Sequence, residues 1–348
     1  MTPGRRFVTP AALLPVRDGL LAWRELANKL RVYRLVRHAG AEVGLPPPGR
    51  PLDLPALVER AYALGEYAAL WAVEGLGHDY AVRRWPAAGP APRDLLTEGA
   101  AAGLPAASLT MLHAGLGLAF AERLLGELPR AAPEDRLRRT VAEVLRLCRA
   151  NARPGYAGAA VESLGLVTRF FHGRRVAAVN GALRALGEEA AREWFWHGVG
   201  RCLYFLPVCF VPVGDVTWRP FRMARREAPD GAALANAVAG LGWAVTLVNM
   251  RQPAVMDRRL LARHGDELTR LPGFANGVAS ALLVRQDTTP GTGLAARFLA
   301  ARASAEGWEP LVREPARRAL RDLGPRLRDE GRLEDVFRVQ PWIGRASR

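Results

Sequence analysis

The stretch HGVG at His197–Gly200 sets a polar residue ahead of small and apolar ones, and the same register returns along the chain. It appears as EGLG at Glu74, EGAA at Glu98, ESLG at Glu162, NAVA at Asn236 and NGVA at Asn276. From Glu162 onward the members lie 35, 39 and 40 residues apart, the length of a helix pair. Small residues every three or four positions let helix backbones approach closely. A polar residue opening each run either caps its helix or points into the packed centre. The expected fold is therefore all-α, an irregular array of stacked helical hairpins, solenoid-like or closed, with degenerate repeats of about forty residues.

Composition agrees with this reading. The 348 residues are 49% hydrophobic and 24% charged, within the globular range, while aromatics make up only 7%. An interior dominated by Ala, Leu and Gly suits closely packed helices better than sheets of β-branched residues. The formal charge of +15 raises the question of a polyanion. Lys29 is the only lysine, however, and the arginines are spread along the chain. That pattern reads as a habit of composition, and nucleic acid is not an expected partner.

Cys148, Cys202 and Cys209 lie in or beside apolar stretches without a CxxC pair, so they read as reduced, buried thiols of a cytoplasmic protein. The opening MTPGRRFVTPAALLPVRDG lacks the continuous apolar core of a signal peptide. Two long uncharged stretches, 99–121 and 231–250, read as buried helices: Pro105 and His113 interrupt the first, while Asn236, Asn249 and three glycines dilute the second.

Residues 1–50 read as an N-terminal extension, and 51–348 as one α-helical domain. Within the extension, 19–38 places Leu20, Trp23, Leu26, Leu30 and Tyr33 at helical spacing, with Arg24, Lys29, Arg31, Arg34 and Arg37 interleaved. A basic amphipathic helix of this kind suits its own domain, a partner helix or peripheral contact with a membrane. The PPPGRP run at 46–51 then breaks it.

Missing motifs exclude much chemistry. The chain has no GxGxxG after a strand, Walker loop, GxSxG elbow or HExxH, and neither DDxxD nor DxDD. No cofactor or metal is expected. His78 follows Glu74 on one helical face, but nothing nearby completes a metal site. A Glu flanked by Gly and Leu in a helix is hard to solvate, which makes Glu74, Glu98 and Glu162 the acid–base candidates. His172, after two phenylalanines, and His197, within WFWHGVGR, sit among aromatics as pocket-lining candidates. DTTPGTG at 287–293 reads as a loop between helices.

Four of these segments, LLTEGAAAGL at 95–104, VESLGLVTRFFHGRR at 161–175, WFWHGVGRCLYFLP at 194–207 and GFANGVASALLVRQDTTPGT at 273–292, resemble a bacterial family. It is the domain of unknown function 1702 family, best known from enediyne polyketide gene clusters. The segments occur in the family's order over roughly the last two thirds of the chain. Where the family tends to carry a Gly-Tyr-Gly-Phe-His run, this chain has Leu164 to Val167, so the family's histidine position holds Val167. Glu98, Glu162 and His172 do match.

The resemblance implies a protein of natural-product biosynthesis that acts beside an iterative polyketide synthase, and it brings no established reaction. The expected activity is to bind an apolar polyene or hydrocarbon intermediate in a helical cavity and to shield or cyclise it. Glu98 or Glu162 would donate the proton beside His172. Glu74, Trp194, Trp196, His197, Asn236 and Asn276 would line the pocket, its rings stabilising an elongated carbocation. The alternatives are a non-catalytic helical scaffold for partner biosynthetic enzymes and an unfamiliar isoprenoid cyclase that binds a diphosphate through arginines.

Overall fold

The computed structural model describes residues 16–86 and 88–341. Of the opening stretch read above, residues 1–15 lie outside the described residues. Every regular element among the described residues is helical, with no strand. Seven helices carry the argument: α1 (Val16–Arg37), α2 (Glu66–Arg84), α3 (Ala106–Gly126), α4 (Ala157–Phe171), α5 (Glu189–Tyr204), α6 (Gly231–Asn249) and α7 (Phe274–Thr288).

Helices α2 to α7 pack side by side in chain order, α2 to α6 each antiparallel to the last and α7 parallel to α6, and α7 comes back against α3. Glycine sets the spacing. A Cβ added at Gly115 would stand 2.0 Å from the carbonyl oxygen of Glu74, and one at Gly77 2.3 Å from that of Leu112. The same reciprocal fit joins Gly165 to Phe195 and Gly198 to Glu162, then Gly200 to Ala237 and Gly240 to His197, then Gly277 to Ala239. No residue with a side chain fits at these crossings, which is why the small-residue register of the sequence recurs. The carbonyls of Glu74, Glu162 and His197 are themselves among the surfaces packed on, so the polar member of each motif falls at a crossing.

Not every member of the register does this. Glu98 is exposed and precedes a short 3₁₀ turn, Gly99–Gly103, instead of a core helix. The corresponding crossing on α3 uses the run from His113 to Gly117, which sequence reading treated as an interruption. His113 is held inside: its Nδ1 lies 2.6 Å from the Leu109 carbonyl, and Nε2 accepts from the Arg153 amide at 3.0 Å. Burial pulls its pKa down to about 4, so it is neutral.

The stretch 99–121 thus divides at Leu104–Pro105 into a 3₁₀ turn and α3. Gly231–Asn249 is long and apolar enough to cross a membrane, yet here it is the buried α6, packed between α5 and α7. Helix α7 extends through Asp287 and Thr288, so the DTTPGTG stretch begins inside the helix. The C-terminal turn Leu333–Phe337 lies against α4, α5, α6 and α7.

Helix α1 lies across α2 and α6. Its inner face is Leu21, Ala22, Glu25, Lys29, Val32 and Leu35, all buried. Of the stripe read from the sequence, continued to Val36 or Leu35, Leu20, Trp23, Leu30 and Tyr33 face outward, Leu26 and Val36 are half-buried and Leu35 is inside. Two apolar stripes at helical spacing compete on this helix, and the ion pair decides between them. Glu25 and Lys29, 3.1 Å apart, meet Tyr204, Thr217 and Arg259 inside. Burial pushes the Glu25 carboxyl up, but Lys29 and the other partners outweigh it and hold it below the usual range.

Candidate functional site

At the level of the glycine crossings, three helices turn charged side chains inward. Arg201 on α5 donates from Nη1 to Glu162 Oε2 on α4 at 3.1 Å and from Nη2 to Glu74 Oε1 on α2. His197, one turn before Arg201, places Nδ1 3.0 Å from Glu162 Oε1. An ionised Glu162 selects the tautomer with hydrogen on Nδ1, since a carboxylate only accepts. All four side chains are buried. The guanidinium lies 4.8 Å from the centre of the Trp243 ring, which in turn meets Trp71 edge-on with centres 5.9 Å apart.

The two carboxyls are not equivalent. For Glu162, burial pushes the pKa up, but Arg201 and His197 pull harder, and it stays below the usual carboxylate range. For Glu74, burial outweighs the pull of Arg201, and the charge on Glu162 adds to the rise. Two nearby carboxyls forced in opposite directions make an acid–base pair. Glu74 Oε2, His197 Nε2 and Arg201 Nε have no hydrogen-bond partner among the described residues. Buried polar atoms left this way are uncommon and mark places where a structure keeps something other than stability.

Beside this cluster lies an apolar cavity of about 140 Å³, near the size that holds a single benzene-like ring. Arg201 and Trp71 form its inner wall, next to Cys202, Leu118 and Leu166. Towards the surface it is bounded by Val32, Tyr33 and Val36 of α1 and by Phe170, Phe171 and Phe205. One side is charged: His78 Nε2 stands 3.2 Å from Glu122 Oε2, and its Nδ1 3.3 Å from Asp79 Oδ1. Burial pulls His78 down, but these hydrogen bonds and charges raise it to about 9, so it is a cation at neutral pH.

Of the residues singled out from sequence, Glu74, Glu162 and His197 come together. Glu98 is exposed on the surface, and His172 sits half-buried at the end of α4, where burial and Arg175 lower its pKa. Trp194 packs on Gly158 and donates to the Glu334 carbonyl at 3.2 Å, while Trp196 donates to Asn180 at 2.8 Å. Asn236 and Asn276 accept from the amides of Val339 and Gln340 at 3.0 and 2.6 Å, clasping the C-terminal segment. None of the residues singled out from sequence as acid, base or pocket wall lines the cavity described above; of the cluster only Arg201 reaches its wall, with Glu74, Glu162 and His197 behind it.

Sequence reasoning missed Arg201, the residue that joins the cluster, and the cavity-lining Trp71 and His78–Glu122 pair. The signal for Arg201 was available: it lies four residues after His197, on the same face of a helix too apolar to solvate it. The three cysteines are buried and unpaired, and burial pushes the Cys148 thiol up to about 12. Compared with family models, curated proteins and solved structures, the chain finds no match in any of the three.

Proposed function

We propose that the protein binds an apolar polyene or hydrocarbon intermediate of natural-product biosynthesis in the cavity beside Arg201, and shields or cyclises it. The observation that carries this reading is an apolar chamber whose inner wall includes an arginine held between two unlike buried carboxyls. The cavity is large enough for one ring or a chain end only. A long ligand would therefore lie with its end against Trp71 and Arg201 and its remainder between Tyr33, Phe170 and Phe205.

In the cyclising version Glu74 is the acid, in place of Glu98. Glu74 stands behind Arg201 and outside the cavity wall, so the alkene end has to pass Arg201 to reach it. Its O–H proton then goes to the terminal carbon, the π pair forms the new C–H bond, a second alkene's π pair closes the ring onto the resulting cation, and loss of a neighbouring C–H proton to the Glu74 carboxylate ends the step. Glu74, Arg201 and Glu162 together are neutral before the transfer and carry one negative charge after it. That charge and the Trp71 and Trp243 rings favour the cation. Likeness of segments 95–104, 161–175, 194–207 and 273–292 to the enediyne-cluster family supports the substrate class alone.

Diphenylhexatriene, a linear conjugated hydrocarbon with ring ends, tests the reading. Its fluorescence should rise on binding, and Leu166→Trp, which fills the cavity, should weaken binding at least tenfold (on the order of 1.4 kcal/mol). In D₂O the recovered hydrocarbon should carry deuterium, and Glu74→Gln should abolish that while binding stays. Undiminished binding by the filled variant would remove the cavity from the reading.

A further inference from the structure

Helix α1 carries its charged pair inside and its large apolar side chains outside. Trp23 is 62% exposed, Leu20 and Leu30 are each 51% exposed, and Tyr33 is 43% exposed. Their spacing puts them on one stripe of the helix. A solvated helix surface ordinarily shows the reverse arrangement, and scattered single apolar residues would not form a stripe.

Two other exposed apolar elements adjoin α1. Lys29 donates to the Cys209 carbonyl at 2.9 Å, which ties the loop after α5 to α1. That loop exposes Val208, Val211 and Val213, and Arg219 holds it by bonding the carbonyls of Val208 and Val213. Tyr33 and Phe171, both exposed, stand together at the mouth of the cavity. The stripe and the cavity mouth thus share Tyr33, and the loop is anchored to the same helix through Lys29.

Charge selects the occupant. Arg24, Arg31 and Arg34 are exposed beside the stripe, Arg34 also pairing with Glu42 at 3.2 Å, and from Gly19 to Arg37 the one acidic residue, Glu25, is turned inside. An apolar stripe with Trp and Tyr, flanked mainly by arginines, matches the boundary of an anionic bilayer. There the rings sit at headgroup depth and the cations meet lipid phosphates. We infer that this face is a membrane-docking surface, which seats α1 and the 208–213 loop in the interface of an anionic bilayer and turns the cavity mouth towards the acyl chains. The inference does not depend on what the cavity binds, because docking is read without any cavity ligand.

Vesicle sedimentation tests it, using the whole chain with vesicles of phosphatidylcholine alone or containing about 30 mol% phosphatidylglycerol. Wild type should bind the anionic vesicles at least tenfold more tightly, and raised salt should weaken that binding. Trp23→Ser/Leu30→Ser should reduce it about a hundredfold. Both positions are exposed, so the unfolding midpoint of this variant should equal that of wild type. Absence of binding to anionic vesicles overturns the inference, as does binding that the double variant leaves unchanged. A dimer in sedimentation velocity that the double variant dissociates also overturns it, by assigning the face to a second copy of the chain.

Discussion

Glycine-to-alanine substitution should have opposite signs at two helical positions, and the sign follows from what a single methyl group meets. At Gly240 on α6, an added Cβ falls 1.9 Å from the His197 carbonyl oxygen and 2.9 Å from the Arg201 amide nitrogen. Both neighbours are backbone, so no side chain can swing aside. Reaching ordinary contact separates α5 from α6 by more than about 1 Å, and overpacking on that scale costs about 1–3 kcal/mol and at times more. The same shift moves the helix carrying His197 and Arg201, so the ion pairs to Glu162 and Glu74 lengthen as well. At Gly181, in the helix Val176–Ala185, nothing lies within 4 Å of the added atom and the residue is exposed. There alanine removes backbone freedom from the unfolded chain and should stabilise by about 0.5–1 kcal/mol. Urea denaturation followed by circular dichroism reads both. Gly240→Ala should lower the midpoint at unchanged slope, and Gly181→Ala should raise it. Equal stability of Gly240→Ala and wild type would refute the glycine-contact account of the array.

Three further outcomes follow from the same geometry. Arg201→Met leaves the Glu162 carboxylate buried without its counter-charge and Glu74 without its donor, and should cost about 3–5 kcal/mol; combining it with Glu74→Gln and Glu162→Gln should recover most of that in the same denaturation assay. His78 is raised from 6.5 to about 9 in the fold, so the stability it contributes is fully present below pH 6.5 and is lost as pH climbs towards 9. His78→Gln should flatten the fall in urea midpoint across that window, and an unchanged fall would assign it elsewhere. Asn276→Leu removes the acceptor for the Gln340 amide; hydrogen exchange at 338–340 should quicken, while the amides of α4 and α5 stay protected.

The fold was legible because close helix approach leaves a mark in sequence. Backbone contact admits only glycine, so Gly198, Gly200 and Gly240 are written into the chain at the spacing of the crossings. The polar member of the register was readable as a position and ambiguous as a role. Glu162 and Asn236 occupy similar places in it, yet one bonds Arg201 and His197 while the other holds the C-terminal segment, and only the partner distinguishes them. Partners lie far along the chain, as with Glu74 and Arg201, separated by 127 residues. Local spacing carries no trace of such a pairing. For α1 the limit was different: two apolar stripes fit the same period, and the choice rested on where Glu25 and Lys29 find Tyr204 and Thr217.

The two readings of the array, chamber and scaffold, make different demands on its centre. A scaffold needs only rigidity, and the glycine crossings supply that with apolar residues between them. Burying Arg201, Glu74 and Glu162 then works against stability, since desolvation of such ions can exceed their mutual attraction and apolar residues of similar volume often serve as well or better. A chamber needs the opposite: an acid whose pKa burial raises, a counter-charge already in place, and a dry wall of rings nearby. The polar atoms of Glu74, His197 and Arg201 that lack partners fit this second demand and have no use in the first. Arg201 reaches the cavity wall and Glu74 bonds it from behind, and that placement, not burial alone, is what favours the chamber. Full recovery of stability by the neutral triple variant, together with loss of deuterium transfer, would place the cluster's purpose in chemistry. Failure to recover would return it to the structural role of fixing α2, α4 and α5 in register.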